Sequence, residues 1–186
     1  MKSVPYIVFL RGINVGGNHL VKMADLKKLL EGLGYAKVKT LLASGNVTLE
    51  AGKADPVKLA AKLAGELRKA FGFEIPVLVR SRKELVALAK TEPFALVKVT
   101  PETRLYVTFL SEKPTATSRG EYTSDDGSFS ILKVTDSEVC GVLDLSKGSG
   151  TVDAMVILEK RYGKNVTTRN WNTVQKLLAM ETAEAD

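Results

Sequence analysis

One cysteine, one histidine and one tryptophan among 186 residues remove whole classes of chemistry. With Cys140 alone, an internal disulfide is impossible, and the usage fits a reducing compartment, so the expected location is cytoplasmic. His19 would have to serve any Ser–His or Cys–His catalysis, and no acidic partner lies near it in sequence. Zinc and calcium sites need clustered ligands, which the spacing of His, Cys and carboxylates does not supply, and Asp125-Asp126 reads as turn chemistry. No apolar run approaches the ~20 residues that span a bilayer. The opening MKSVPYIVFLRG lacks a small-residue cleavage site and reads as a first strand. Aromatics are 6% of the chain. Tyr6 and Phe9 fall on opposite faces of that strand and residues 47–50 carry none, so an aromatic platform for stacking bases is missing.

What is present is an ordinary globular composition, 45% hydrophobic and 26% charged, with a net charge of +6. The charge is uneven. Residues 1–93 carry 16 Lys/Arg against 8 Asp/Glu, a balance of +8, and residues 94–186 carry 11 against 13, a balance of −2. A basic half attracts phosphates or nucleic acid. Lys27, Lys28, Lys58, Lys62 and Lys69, however, sit on amphipathic helical patterns, where lysines solvate an outer face.

Residues 4–10 form a continuous apolar run of buried-strand length. Met23, Leu26, Leu29, Leu30 and Leu33 recur at helical spacing, and Gly34 stands where that helix ends. Residues 38–43 and 47–49 read as strands joined by the turn Ser44-Gly45-Asn46. Asp55-Pro56 supplies an N-cap and a first-turn proline. Leu59, Leu63, Leu67, Ala70 and Phe71 line the second helix, Gly72 stops it, and residues 75–80 read as a fourth strand. This is the split βαβ order of a ferredoxin-like sheet. Residues 82–90 read as a connecting helix broken at Glu92-Pro93.

The second half follows the same order with decoration. Strands are expected at 105–110, 128–134, 138–145 and 166–169, and helices at 152–162 and from Trp171. Residues 113–126 are polar and read as a short helix followed by the turn Asp126-Gly127. The expected fold is α+β, with two ferredoxin-like (βαββαβ) halves packed as one compact body. Its parts are a half over residues 1–80, a connector over 81–103, and a decorated half with a terminal helix over 104–186.

Three polar motifs stand out. RGINVGG, residues 11–17, lies where the first strand empties into a loop. Gly12 and Gly17 have P-loop spacing, but Asn18-His19 occupies the place of the required Lys-Ser/Thr, and G-x-G-x-x-G is absent. What remains is a glycine-rich loop with Arg11 and Asn14 as polar groups. Ser44-Gly45-Asn46 is suited to a hairpin turn. It need not share an end of the sheet with RGINVGG. Residues 167–173, TTRNWNT, hold five neutral hydrogen-bonding side chains around Arg169 and Trp171, more than one helix cap requires. The surplus points to a buried network or a ligand surface.

Together these motifs resemble those of the bacterial domain-of-unknown-function family sixteen ninety-seven. Its pattern runs RGINVGG, T-Y-x-Q-SGN and TRNWNT, matched here by residues 11–17, Met23, Thr40, 44–46 and 168–173. Leu41, Leu42 and Ala43 stand where an aromatic and a glutamine often precede SGN. The resemblance implies an α+β fold with ferredoxin-like halves and no established activity.

The site expected from these residues comprises Arg11, Asn14, Gly16, Gly17, Ser44 and Asn46, with Arg169, Asn170 and Asn172. Its ligand would be a small phosphate-bearing molecule or nucleic-acid phosphate, with no cofactor, metal or membrane involved. The alternatives are a metal-independent enzyme that stabilises an anion with backbone amides and Arg11, and a scaffold whose motifs only hold the halves together.

Overall fold

The computed structural model describes residues 3–148 and 150–182. The fold is α+β, with two antiparallel sheets and five helices among the described residues. The chain divides into two compact units, Met1–Ala87 with Leu177–Asp186, and Leu88–Lys176.

The N-terminal unit contains strand β1 (Ser3–Leu10), helix α1 (Met23–Gly32), β2 (Ala36–Leu41), β3 (Asn46–Gly52), α2 (Pro56–Phe71) and β4 (Val77–Ser81). Helix α3 (Arg82–Lys90) follows. The sheet order is β2-β3-β1-β4. Strand β1 is central, and every residue from Tyr6 to Leu10 is buried, which is why its sequence is an unbroken apolar run and not an alternating one. Tyr6, Val8 and Leu10 share one core with Leu26 and Leu30 of α1 and Leu59, Leu63 and Leu67 of α2. Each helix presents these residues at spacings of four, one stripe against the sheet.

Local signals at α2 act as their chemistry dictates. The Asp55 carboxylate accepts from the backbone N–H of Val57 (2.9 Å) and Lys58 (3.0 Å), Pro56 opens the helix, and Gly72 closes it at φ +81°.

The C-terminal unit contains β5 (Thr103–Leu110), β6 (Tyr122–Thr123), β7 (Phe129–Val134), β8 (Glu138–Asp144), α4 (Thr151–Tyr162), β9 (Val166–Asn170) and the start of α5 (Trp171–Thr182). Its sheet runs β6-β7-β8-β5-β9. Four of these strands keep the order of the first sheet, with β5 between β8 and β9 as β1 lies between β3 and β4. The helix that would match α1 is absent. Between β5 and β7 the chain forms a 3₁₀ turn (Ala116–Ser118) and the two-residue β6. Residues 113–126 have no apolar stripe to bury, so nothing drives a helix onto the sheet there. The second core gathers Leu110, Phe129, Ile131, Val139 and Leu143 of the sheet with Ala154 and Leu158 of α4. The last turns of α5 belong with the first unit, where the Lys39 ammonium donates to the Met180 carbonyl at 3.2 Å.

Two outcomes follow from this architecture. Removing the α2 cap with Asp55→Ala lowers unfolding free energy by about 1 kcal/mol, read as a fall in thermal midpoint with unchanged circular dichroism. Cys140 is fully buried, and burial pushes its thiol up to about 12. In the native protein it resists alkylation at pH 8, and it reacts fully in denaturant. Because the folded value lies above the unfolded one, this contribution is intact below pH ~8.5 and declines above it, by up to ~1.4 kcal/mol per pH unit. Wild type therefore loses stability between pH 9 and 11 faster than Cys140→Ala.

Candidate functional site

Leaving β1, the backbone continues one residue beyond the strand, with Arg11 N–H donating to the Pro76 carbonyl at 2.9 Å. The chain then turns through Gly12 at φ +71° and drives Ile13 into the core. Residues 14–19 fold back on themselves as a miniature hairpin. Asn14 N–H donates to the His19 carbonyl at 3.1 Å, and Asn18 N–H to the Val15 carbonyl at 3.1 Å. Gly16 and Gly17 form the tip at φ +60° and +78°. Two successive positive φ angles define a type I′ turn, which glycine adopts without a Cβ penalty. Val21 is buried beyond the far leg. Ile13 and Val21 thus anchor both legs, while the tip stands in solvent.

Asn14 is the brace of this loop. Its amide nitrogen donates to the carbonyls of Val21 (2.9 Å) and Ala43 (2.7 Å), and its amide oxygen accepts from Val21 N–H at 2.8 Å. Three bonds to backbone replace those a regular strand would have supplied. His19 packs its ring on Phe73, with centroids 4.5 Å apart and planes inclined by 15°.

The bond to Ala43 joins the first motif to the second. β1 and β2 both run parallel, with β3 antiparallel between them, so the β2–β3 turn lies at the end where β1 exits. The register Phe9↔Asn46 brings Ser44-Gly45-Asn46 against the root of RGINVGG. The two motifs are therefore adjacent, which strand count alone does not reveal but parallel crossover requires. Leu10 N–H donates to the Gly45 carbonyl at 2.8 Å. A Cβ on Gly45 would stand 2.7 Å from Leu10 Cβ and 2.8 Å from Ile13 Cδ1, and its φ is +79°. Asn46 is fully buried and donates to the Leu41 carbonyl and the Ser44 hydroxyl, both at 3.0 Å. Asn14 reads a carbonyl at Ala43, so Leu41, Leu42 and Ala43 can replace polar residues there without loss of the clamp.

Arg11, Asn14, Gly16, Gly17, Ser44 and Asn46 accordingly share one end of the first sheet. Around them Val15, Leu20 and Leu42 are 67%, 69% and 56% exposed. Leu42 falls within the strand expected over 38–43, but β2 ends at Leu41 and Leu42 turns at φ +60°, while Val15 and Leu20 lie in a loop with no periodic pattern to assign them a face.

Arg169, Asn170 and Asn172 belong to the second unit. The Arg169 guanidinium donates to the Thr167 hydroxyl (2.8 Å) and the Thr168 carbonyl (2.9 Å), and burial brings its pKa down to about 10, so it stays cationic at neutral pH. The hydroxyls of Thr168 and Thr108 meet at 2.8 Å across β9 and β5. Asn170 ends β9 opposite Tyr106, and Asn172 is exposed on α5. Trp171 packs against Phe94, with ring centroids 5.5 Å apart. Part of the threonine surplus is thus a hydrogen-bonded network in this unit. Among the described residues no helix is long and apolar enough to cross a membrane, and no three His, Cys, Asp or Glu side chains group as metal ligands.

Gly45→Ala meets both a left-handed backbone and a wall of side chains. It destabilises the protein by about 2–4 kcal/mol. Gly16 has open space around it, so Gly16→Ala costs only about 1 kcal/mol. Denaturant titration of the two variants measures the difference.

A solved structure, that of the conserved bacterial protein SP0830 from Streptococcus pneumoniae, matches 96% of this chain and 99% of its own, with a TM-score of 0.70 and 23% identity. That likeness is one of fold. No curated protein matches the chain significantly. The family model described as "Protein of unknown function (DUF1697)" matches residues 4–139, which hold the first two motifs. This chain, with its RGINVGG hairpin clamped by the SGN turn, belongs to that family.

Proposed function

We propose that this is a cytoplasmic binding protein whose working surface is the loop end of the N-terminal unit, and that its ligand carries phosphate. The observation that carries the reading is the braced hairpin. Its Gly16-Gly17 tip offers backbone with no side chains in the way, and Asn14 holds it in one geometry. A loop ordered in advance loses little entropy on binding. Arg11 stands at the root of the loop, in the half of the chain with a balance of +8. Backbone amides and a guanidinium suit an anion.

The test is thermal denaturation with inorganic phosphate, nucleoside monophosphates and short oligonucleotides, since a ligand that prefers the folded state raises its midpoint. One phosphate-bearing probe is expected to raise it, with Arg11→Ala weakening that probe about tenfold. Oligonucleotide affinity is expected to fall steeply with salt. No shift with any probe, or a shift untouched by Arg11→Ala, overturns the proposal.

A structural reading is favoured by one observation, that Asn14 makes three bonds to backbone. On that reading Asn14→Ala lowers the melting point and no phosphate probe ever raises it. The shared strand order also supports taking the two sheets as variants of one ferredoxin-like plan, the second without its first helix.

A further inference from the structure

The C-terminal unit holds a cleft of about 420 Å³, a volume within the ~300–1,000 Å³ of small-molecule sites. Phe94 and Trp171 line it, their rings tilted by 59°, and Leu105 adds to the apolar wall. Its polar lining comes from Glu92 and Gln175. Among the described residues, the Trp171 indole N–H, the Glu92 carboxylate and the Gln175 amide have no hydrogen-bond or ion-pair partner. Trp171 is only 9% exposed, and its N–H is nevertheless not sealed from solvent. Trp171 borders the cleft.

Glu92 is held at the rim by its backbone. Pro93 disfavours the right-handed helical region for it, and it takes φ +44°, with Glu92 N–H donating to the Ala89 carbonyl and Ala95 N–H to the Glu92 carbonyl, each at 3.0 Å. In the sequence this dipeptide reads as a helix breaker alone. The structure adds that the break places Glu92 in the lining of the cleft that Phe94 and Trp171 also border.

Four chemistries therefore meet in one concavity: a π face, an N–H donor, a carboxylate acceptor, and an amide that both donates and accepts. Their complement is a planar ring with an exocyclic amine for the carboxylate and a ring nitrogen for the donors. We propose that this cleft binds a small amino-substituted nitrogen heteroaromatic, of the type of adenine or cytosine. Stacking on aromatic side chains supplies affinity for such rings, and carboxylate and amide contacts select the amine. The cleft shares no residue with the N-terminal loop, so this proposal and the phosphate reading stand or fall separately.

Trp171 is the chain's one tryptophan, so the intrinsic fluorescence of the intact protein reports on the cleft. Adenine and cytosine are titrated against hypoxanthine and uracil, which carry a carbonyl where the first two carry an amine. The expected result is a saturable change with adenine or cytosine, weaker by about tenfold with the carbonyl counterpart, and weakened about tenfold by Glu92→Gln. Ala95→Leu, at an exposed position on the cleft wall, is expected to abolish the change while the melting point stays at the wild-type value. A parallel titration with oligoadenylate separates two sources of the same ring. Tighter binding of the oligomer assigns the ring to a strand, and equal or weaker binding assigns it to a free molecule, the ring chemistry being supported in both. Absence of a saturable change with both amines, equal changes with the carbonyl bases, or indifference to both variants overturns the proposal.

Discussion

No methyl group fits between Gly45 and the side chains of Leu10 and Ile13, and that contact organises the N-terminal unit's loop end. It allows the β2–β3 turn to lie flat on the last residue of the central strand. Leu10 then finds a backbone acceptor in Gly45, and the Ala43 carbonyl comes within reach of Asn14. Hydrophobic packing from below and amide hydrogen bonding from the side therefore act on the same few residues. Loss of the close approach would separate the turn from the loop, and the hairpin would lose one of the bonds that hold it.

The polar letters of the first two motifs divide by task. Asn14 and Asn46 bond to carbonyls and amides of neighbouring segments, so they build the loop. Gly12, Gly16, Gly17 and Gly45 supply backbone shapes that a Cβ would strain. Facing solvent are the glycine tip, the apolar groups of Val15, Leu20 and Leu42, and beside them Asn18, His19, Ala43 and Ser44. A surface of this kind is defined by rigid placement more than by reactive side chains.

The second unit solves a different problem. It buries a guanidinium in its edge strand and satisfies it locally with a threonine hydroxyl and a carbonyl, so the cation persists at a position where desolvation opposes it. Immediately after, with no intervening loop, α5 begins at Trp171. The abrupt passage from strand to helix turns one tetrad, Thr168 to Trp171, into strand network, strand end and aromatic wall in succession. A run that reads as a single polar cluster is in fact divided among these roles.

Helices, strands and their order were legible in the chain because apolar spacing, the Asp55-Pro56 start, and the glycine stops act over a few residues. The uninterrupted run at β1 announced burial on both faces, and the polar stretch at 113–126 lacked a stripe, which is why it forms only the short 3₁₀ turn Ala116–Ser118 and no α-helix against the sheet. Meeting of the first two motifs was not legible. It depends on strand direction and register, which couple residues about thirty positions apart and leave no local mark. The same holds for the cleft beside Trp171, assembled from a helix end, a proline-adjacent turn, a strand and the start of another helix. Local chemistry decides which element a segment becomes, whereas three-dimensional pairing decides which side chains remain unpartnered, and only the latter defines where a ligand can go.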